Sequence, residues 1–287
     1  MKVHILGAGT PTPSATRFGS SYVAELSGDE FVMVDCGPAA THKMVKAGLW
    51  PTKIDHLFFT HHHFDHDVDL PCFLLCRWDQ SIGGENDLKV FGPPPTEELV
   101  TGLIAKDDGV FWHDINARIN HPASQNHWSN RGGTLPRPAP NVSATDVEPG
   151  FTFETDRWRM TSALANHAQP YLDCLAWRLD TDEGSVVFTG DTAPCDPVRE
   201  LARDADMMLC MCWDDQDRMD ENGENMAQCG TTDAGRMAQA SGVKKLVLVH
   251  LGPHLSQPGA LAKGDADIRA VYDGKIVFSD ELMTVTL

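Results

Sequence analysis

Eleven short apolar runs bounded by Gly, Pro or Asp set the frame within which this chain must fold: KVHILGAG, SYVAEL, EFVMVDCG, HLFFT, LKVFGPP, RWRMTSALA, LAWRLD, SVVFTGD, DMMLCMC, KKLVLVH and KIVFSD. Runs of this length read as strands, and those without polar alternation as strands buried on both faces. Helical spacing lies between some of them, in AATHKMVKAG, TEELVTGLIA, DPVRELARDA and TTDAGRMAQASG, the last ending at a glycine. Strands with interspersed helices predict an α/β protein whose helices cover sheet faces. With 287 residues and 41 % hydrophobic content the chain can bury a sizeable core, and we read residues 1–287 as a single domain. Residues 107–145 break the pattern and read as an irregular loop or lid. Phe111, Trp112 and Trp128 in that stretch would form a wall facing an aromatic or hydrophobic part of a substrate.

Charge narrows the class. The chain carries 23 Lys and Arg against 41 Asp and Glu, a net charge of −18, so its average surface repels phosphate backbones and anionic membranes. No run reaches the length of a transmembrane helix, and MKVHILGAGT is too short in apolar content for a secretory leader. Eight cysteines, mostly in apolar runs and without a C-x-x-C spacing, read as reduced thiols of a cytoplasmic protein. GAGTPT at residues 7–12 starts like a dinucleotide fingerprint, but Thr12 stands where the third glycine belongs. A tight turn after the first strand accounts for it.

The chemistry gathers in THHHFDHDVD, residues 60–69, directly after a strand-like run. His61, His63, Asp65 and His66 form H-x-H-x-D-H. Alternate residues of an extended segment point the same way, so His61 and His63 can converge on one ion, and a turn lets Asp65 and His66 aim at a second. His62 must then point away from both, and His56 on the preceding strand should be packed. Three more donors end apolar runs: His167, Asp191 and His250. Strand ends gather at one edge of a sheet, and seven donors suit two metals sharing a bridging carboxylate.

With these motifs in place the chain resembles the metallo-β-lactamase superfamily. H-x-H-x-D-H at residues 61–66, His167, Asp191 in TGD and His250 match its motifs in order, and Asp35 in VMVDCG matches an aspartate that supports the site without binding metal. The resemblance implies an αββα sandwich, two mixed β-sheets flanked by helices. It also implies one ion held by His61, His63 and His167, another by Asp65, His66 and His250, and Asp191 between them. GAGTPTP, RFGSSYV, VDCGP and LKVFGPP are most similar to the branch of ribonuclease Z and arylsulfatase-like hydrolases, where a homodimer is a common assembly. Two departures stand out: CMCW at residues 210–213 replaces the H-E-A-T stretch typical of ribonuclease Z, and there is no basic, glycine-rich arm.

Two zinc ions would hold a bridging hydroxide at neutral pH. Manganese or iron is also compatible with nitrogen and carboxylate donors. Asp65 would orient the hydroxide and take up its proton, and His254 would protonate the leaving oxygen, with His113 and His127 as further candidates. The expected activity is hydrolysis of a small ester: an aryl sulfate, a phosphodiester or a lactone. A mononuclear non-haem iron oxygenase and a ribonuclease Z-like RNA phosphodiesterase are the competing readings. The departures and the charge of −18 predict a small-molecule substrate and no nucleic-acid or membrane partner.

Overall fold

A computed structural model describes residues 1–82 and 87–287. Strands and helices are numbered along the chain. The first sheet is built from β1 (Lys2–Gly7), β2 (Ser21–Leu26), β3 (Glu30–Val34), β4 (Ile54–Phe58), β5 (Leu88–Gly92) and β6 (Val142–Asp146). The second takes β7 (Thr152–Glu154), β8 (Trp158–Leu164), β9 (Leu175–Thr181), β10 (Gly184–Phe188), β11 (Met207–Met211), β12 (Lys245–Val249) and β13 (Lys275–Phe278), and β14 (Met283–Thr286) returns to pair with β1. Both sheets are mixed: β3 to β6 are parallel and β1 to β3 antiparallel, while β10 to β13 are parallel and β7 to β10 antiparallel.

Period-two alternation builds three apolar layers from these strands. On β11, Met207 and Leu209 face the layer between the sheets, while Met208 and Cys210 face the outer helices; on β12, Val247 and Val249 face inward and Leu246 and Leu248 outward. The first sheet mirrors this, with Val32 and Val34 inward and Phe31 and Met33 outward. Phe58 sits at the centre, stacked on Phe91 at 5.2 Å and edge-on to Trp177 at 5.0 Å. Helices α1 (Ala40–Lys46), α2 (Phe64–Asp67), α3 (Leu70–Gln80), α4 (Thr96–Ile104), α5 (Trp112–Asn120) and α6 (Pro122–Asn130) belong to the first half of the chain. The second half carries α7 (Asp196–Leu201), α8 (Gln216–Asn222), α9 (Thr231–Ser241) and α10 (Ala260–Arg269). Helices outside two face-to-face sheets make the αββα sandwich.

Within the stretch expected to be an irregular loop or lid, residues 107–145, the chain forms helices α5 and α6. Its Asn-, His- and Arg-rich face hides the periodicity, and extended backbone at His121 followed by Pro122 at the first turn of α6 breaks it into two helices. Trp128 does not face a substrate cleft. Its ring is buried against the Arg137 guanidinium, which also covers Trp78 and pairs with Asp79 at 2.8 Å. Those partners lie at the end of α3, roughly 15 Å of helix from the histidine-rich motif.

All eight cysteines are free thiols. Cys72 and Cys76 are one turn apart on α3, and burial, then Asp69 and Cys76, push the Cys72 thiol up to about 11. Iodoacetamide labelling of Cys72 should therefore climb about tenfold per pH unit between pH 7 and 10, running ~100-fold below an unperturbed thiol at pH 7 and about tenfold below it at pH 10, because only thiolate reacts. Mass-spectrometric labelling rates tracking an ordinary thiol would contradict this.

No helix among the described residues is long and apolar enough to cross a membrane.

Candidate metal centre

Strand β4 delivers Phe59 and Thr60 to the edge of the first sheet, where the chain runs extended through His61–His63 and then turns into α2. Two glycines make that turn possible. A Cβ at Gly19 would lie 2.3 Å from the Asp65 carbonyl oxygen, and one at Gly37 would lie 2.2 Å from it, so the RFGSS and DCGP turns press bare backbone against the motif. His167 follows β8, Asp191 follows β10 and His250 follows β12. All three thus reach the edge where THHHFDHDVD waits.

The donors converge. His61 Nε2 lies 3.1 Å from His63 Nδ1, which lies 3.2 Å from His167 Nε2. His250 Nε2 stands 3.2 Å from both Asp65 Oδ2 and Asp191 Oδ2, and His66 Nε2 is 3.6 Å from Asp65 Oδ2 and from Asp191 Oδ1. Three overlapping groups can each hold an ion: His61, His63 and His167; His61, His66 and Asp191; and Asp65, His66 and His250. Within the second of these, His66 Nε2 and Asp191 Oδ1 are buried without a hydrogen-bond partner, although they face each other. Orphaned buried donors and acceptors are costly, and a cation between them removes the cost. The residues fit a pair of divalent ions.

Behind the donors, a buried network fixes which nitrogen faces inward. His66 Nδ1–H donates to Asp35 Oδ2 at 2.8 Å, and the Thr60 hydroxyl donates to the same oxygen at 2.9 Å while accepting from His61 Nδ1–H at 3.1 Å. The Thr60 amide donates to Asp35 Oδ1 at 2.8 Å, and His167 Nδ1–H donates to the Ala227 carbonyl at 2.8 Å. Each bond keeps a proton on the back nitrogen, so that Nε2 is the nitrogen a cation can take. Asp35 and His250 also hold left-handed backbone, at φ 58° and 52°, a conformation unusual for residues other than glycine.

Electrostatics follow from the crowding. Burial, reinforced by the His66 charge, holds His61 well below the ordinary imidazole pKa, so the ring is a neutral ligand. Burial opposes a charged Asp191, yet His250 and His66 outweigh it and keep the carboxyl well below its usual range. Burial likewise opposes a charged His66, but Asp191 and Asp35 hold it well above the ordinary value.

The other histidines sort out cleanly. His62 does point away from the donor groups, but into protein rather than solvent, with bonds to Thr96 Oγ1 at 2.8 Å and Asp67 Oδ2 at 3.1 Å. His56 is packed against Trp158 and Phe153. His113 and His127 lie exposed on α5 and α6. His254, in a single 3-10 turn over Pro253–Ser256, stands outside the three donor groups and bonds Asp214 Oδ1 at 2.7 Å. Sequence reasoning missed Thr60 and Asp214. Thr60 adjoins the motif and was open to notice, whereas Asp214 meets His254 only through the fold.

Comparison with known proteins agrees with this geometry. Residues 31–251 match the family model described as the beta-lactamase superfamily domain. The chain is 30 % identical to a ribonuclease Z of Mycobacterium sp. (strain KMS) over 292 aligned residues, covering 99 % of this chain and 95 % of the relative. Among solved structures, the metallo-beta-lactamase fold protein YhfI from Bacillus subtilis superposes with a TM-score of 0.73 at 20 % identity, covering 99 % of this chain and 98 % of its own. The short form of human tRNase Z does so with a TM-score of 0.68 at 18 % identity, covering 100 % and 99 %. These relatives overturn the expectation of a small-molecule substrate and no nucleic-acid partner, because proteins named as ribonucleases align with nearly the whole chain. A net charge of −18 averages the entire surface and does not describe the few residues around one cleft. The chain belongs to the β-lactamase superfamily, near ribonuclease Z, and is a metal-dependent hydrolase of ester bonds.

Proposed function

We propose that this chain is an RNA phosphodiesterase working with two divalent cations, zinc by preference. His61, His63 and His167 would hold one cation, Asp65, His66 and His250 the other, and Asp191 would lie between them. The observation that carries this reading is the convergence of seven donors in a chain 30 % identical to ribonuclease Z over 99 % of its length. Two complete groups favour a pair of cations over the single iron of an oxygenase. When bound, the cations supply Lewis-acid polarisation of the phosphate and lower the pKa of water. The remaining work falls to the chain.

Asp65, almost fully buried and beside His250, is placed to accept the proton of the attacking water. His254 is the general acid, with Asp214 accepting its Nδ1–H so that Nε2 is free to protonate the leaving oxygen, and Arg218 Nε pinning the other Asp214 oxygen at 2.9 Å. For RNA contact, Phe64 is 59 % exposed between two proposed ligands, and Phe18 and Arg17 line a cavity of about 220 Å³ that reaches Asp65. Exposed rings stack on bases, and an arginine beside them suits a phosphate oxygen.

The deciding experiment measures bound metal and RNA cleavage together. Protein carrying two equivalents of zinc should cut a structured RNA with a single-stranded 3′ extension, lose activity to a chelator and regain it with zinc; two bound equivalents with no RNA cut would end the reading. His254→Ala should lower kcat on RNA by about 100-fold. The same variant should barely change turnover of bis(4-nitrophenyl) phosphate, whose nitrophenolate leaves without a proton. Equal losses on both substrates would remove His254 from the acid role.

A further inference from the structure

A second cavity of about 220 Å³ opens between the loops that follow β5, β6 and β8. Its walls are tied to the segments that carry the donors. Leu164 ends the strand that leads to His167, the Leu175 amide donates to the Thr60 carbonyl at 2.8 Å, and Pro93 offers its carbonyl oxygen to His62 Nε2 at 3.2 Å. Pro93, Val147, Leu164 and Leu175 give it apolar walls. Its charged groups are the carboxylates of Glu148 and Asp173, both on exposed residues, and neither has a hydrogen-bond or ion-pair partner among the described residues. No lysine, arginine, amide or hydroxyl side chain lines it.

Such a cavity rejects phosphate and sulfate, because two carboxylates repel anions and offer them no donor. It selects a flat apolar group whose edge donates hydrogen bonds, and its volume suits one heterocycle rather than a whole drug-sized ligand. Among the bases, guanine presents two adjacent donors, N1–H and the N2 amine, which match the two oxygens of one carboxylate. Adenine, cytosine and uracil each offer a single donor group on that edge. We propose that this cavity is a guanine subsite, which seats a base of the RNA strand next to the scissile phosphate and reads it through Glu148 and Asp173. The inference rests on the RNA phosphodiesterase reading.

The test uses zinc-loaded full-length protein and short RNAs that differ only in the bases flanking the cleaved bond, with G, inosine, A or C at each position. Wild type should prefer G over A by about tenfold or more in kcat/KM at one position, and inosine, which lacks the N2 amine, should lose most of that advantage. Glu148→Gln or Asp173→Asn should erase the preference, and neither should alter turnover of bis(4-nitrophenyl) phosphate, which has no base to seat. Equal cleavage of all bases, or a preference surviving in both variants, overturns the subsite while leaving RNA cleavage standing. Turnover of the nitrophenyl diester with no RNA cut overturns the underlying reading and the subsite with it. Competitive inhibition by spermidine that both variants relieve, without any base preference, would reassign the cavity to an amine.

Discussion

Asp191→Asn should lower kcat on an RNA phosphodiester by about a thousandfold, equivalent to ~4 kcal/mol of transition-state stabilisation, and leave the purified protein with fewer than two equivalents of metal. The expectation follows from position. Asp191 Oδ2 lies 3.2 Å from His250 Nε2 and 3.7 Å from His167 Nε2, while Oδ1 lies 3.6 Å from His66 Nε2, so one carboxylate faces imidazoles of both proposed sites. An amide of the same shape keeps the packing but brings no charge and turns one acceptor into a donor aimed at ring nitrogens. The ligand set that remains sets only the Asp65 carboxylate against two divalent ions at close range. Metal content by atomic emission and single-turnover kinetics measure the two effects separately, and thermal unfolding confirms that the variant is folded. Wild-type activity with two ions bound would remove Asp191 from the bridging position.

Much of this site was readable because its donors stand at strand ends. HLFF, SVVFTG and KKLVLV each bury a run of apolar side chains and then stop at a titratable residue, and a sheet with parallel neighbours must carry those residues to a common edge. The inner strands were equally legible, since β3, β10, β11 and β12 are buried nearly throughout. Three strands had no such signature. In β6, β7 and β14 the side chains are mostly exposed or half-buried, and only sheet pairing gives VSATD, TFE and MTVT their extended form. Helices α5 and α6 were hidden for the opposite reason: Ile115 and Trp128 are their buried side chains, too few to print a periodic stripe. The substrate was misjudged because net charge is a property of the whole surface, whereas Phe18 and Arg17 are brought beside Phe64 and Asp65 by the fold.

Asp35→Asn carries the second large effect, and it acts without touching a cation. Asp35 is wholly buried and its carboxylate collects the Thr60 amide, the Thr60 hydroxyl and His66 Nδ1–H. Through Thr60 it also governs His61. Asparagine tolerates the left-handed backbone at φ 58°, so the substitution isolates charge from strain. Its Oδ1 can still accept the Thr60 amide, but Nδ2 then faces His66 Nδ1 as a donor. That drives the His66 proton onto Nε2, the atom facing the site, and the Thr60 hydroxyl loses its acceptor and with it the geometry that orients His61. Affinity for divalent cation should fall about 10- to 100-fold, the usual loss when a buried partner of a ligating histidine is changed. The metal-free protein should lose about 3–5 kcal/mol, as expected when one member of a buried charged pair is neutralised. Thr60→Val makes the comparison quantitative: it removes one hydroxyl and leaves the carboxylate, so its cost should be nearer 1–2 kcal/mol. Urea unfolding of the metal-free forms, paired with zinc titration, reads both quantities. If Asp35→Asn matched Thr60→Val in stability and kept wild-type zinc affinity, the choice of inward-facing nitrogen would have to be set by the donors' own packing and not by Asp35.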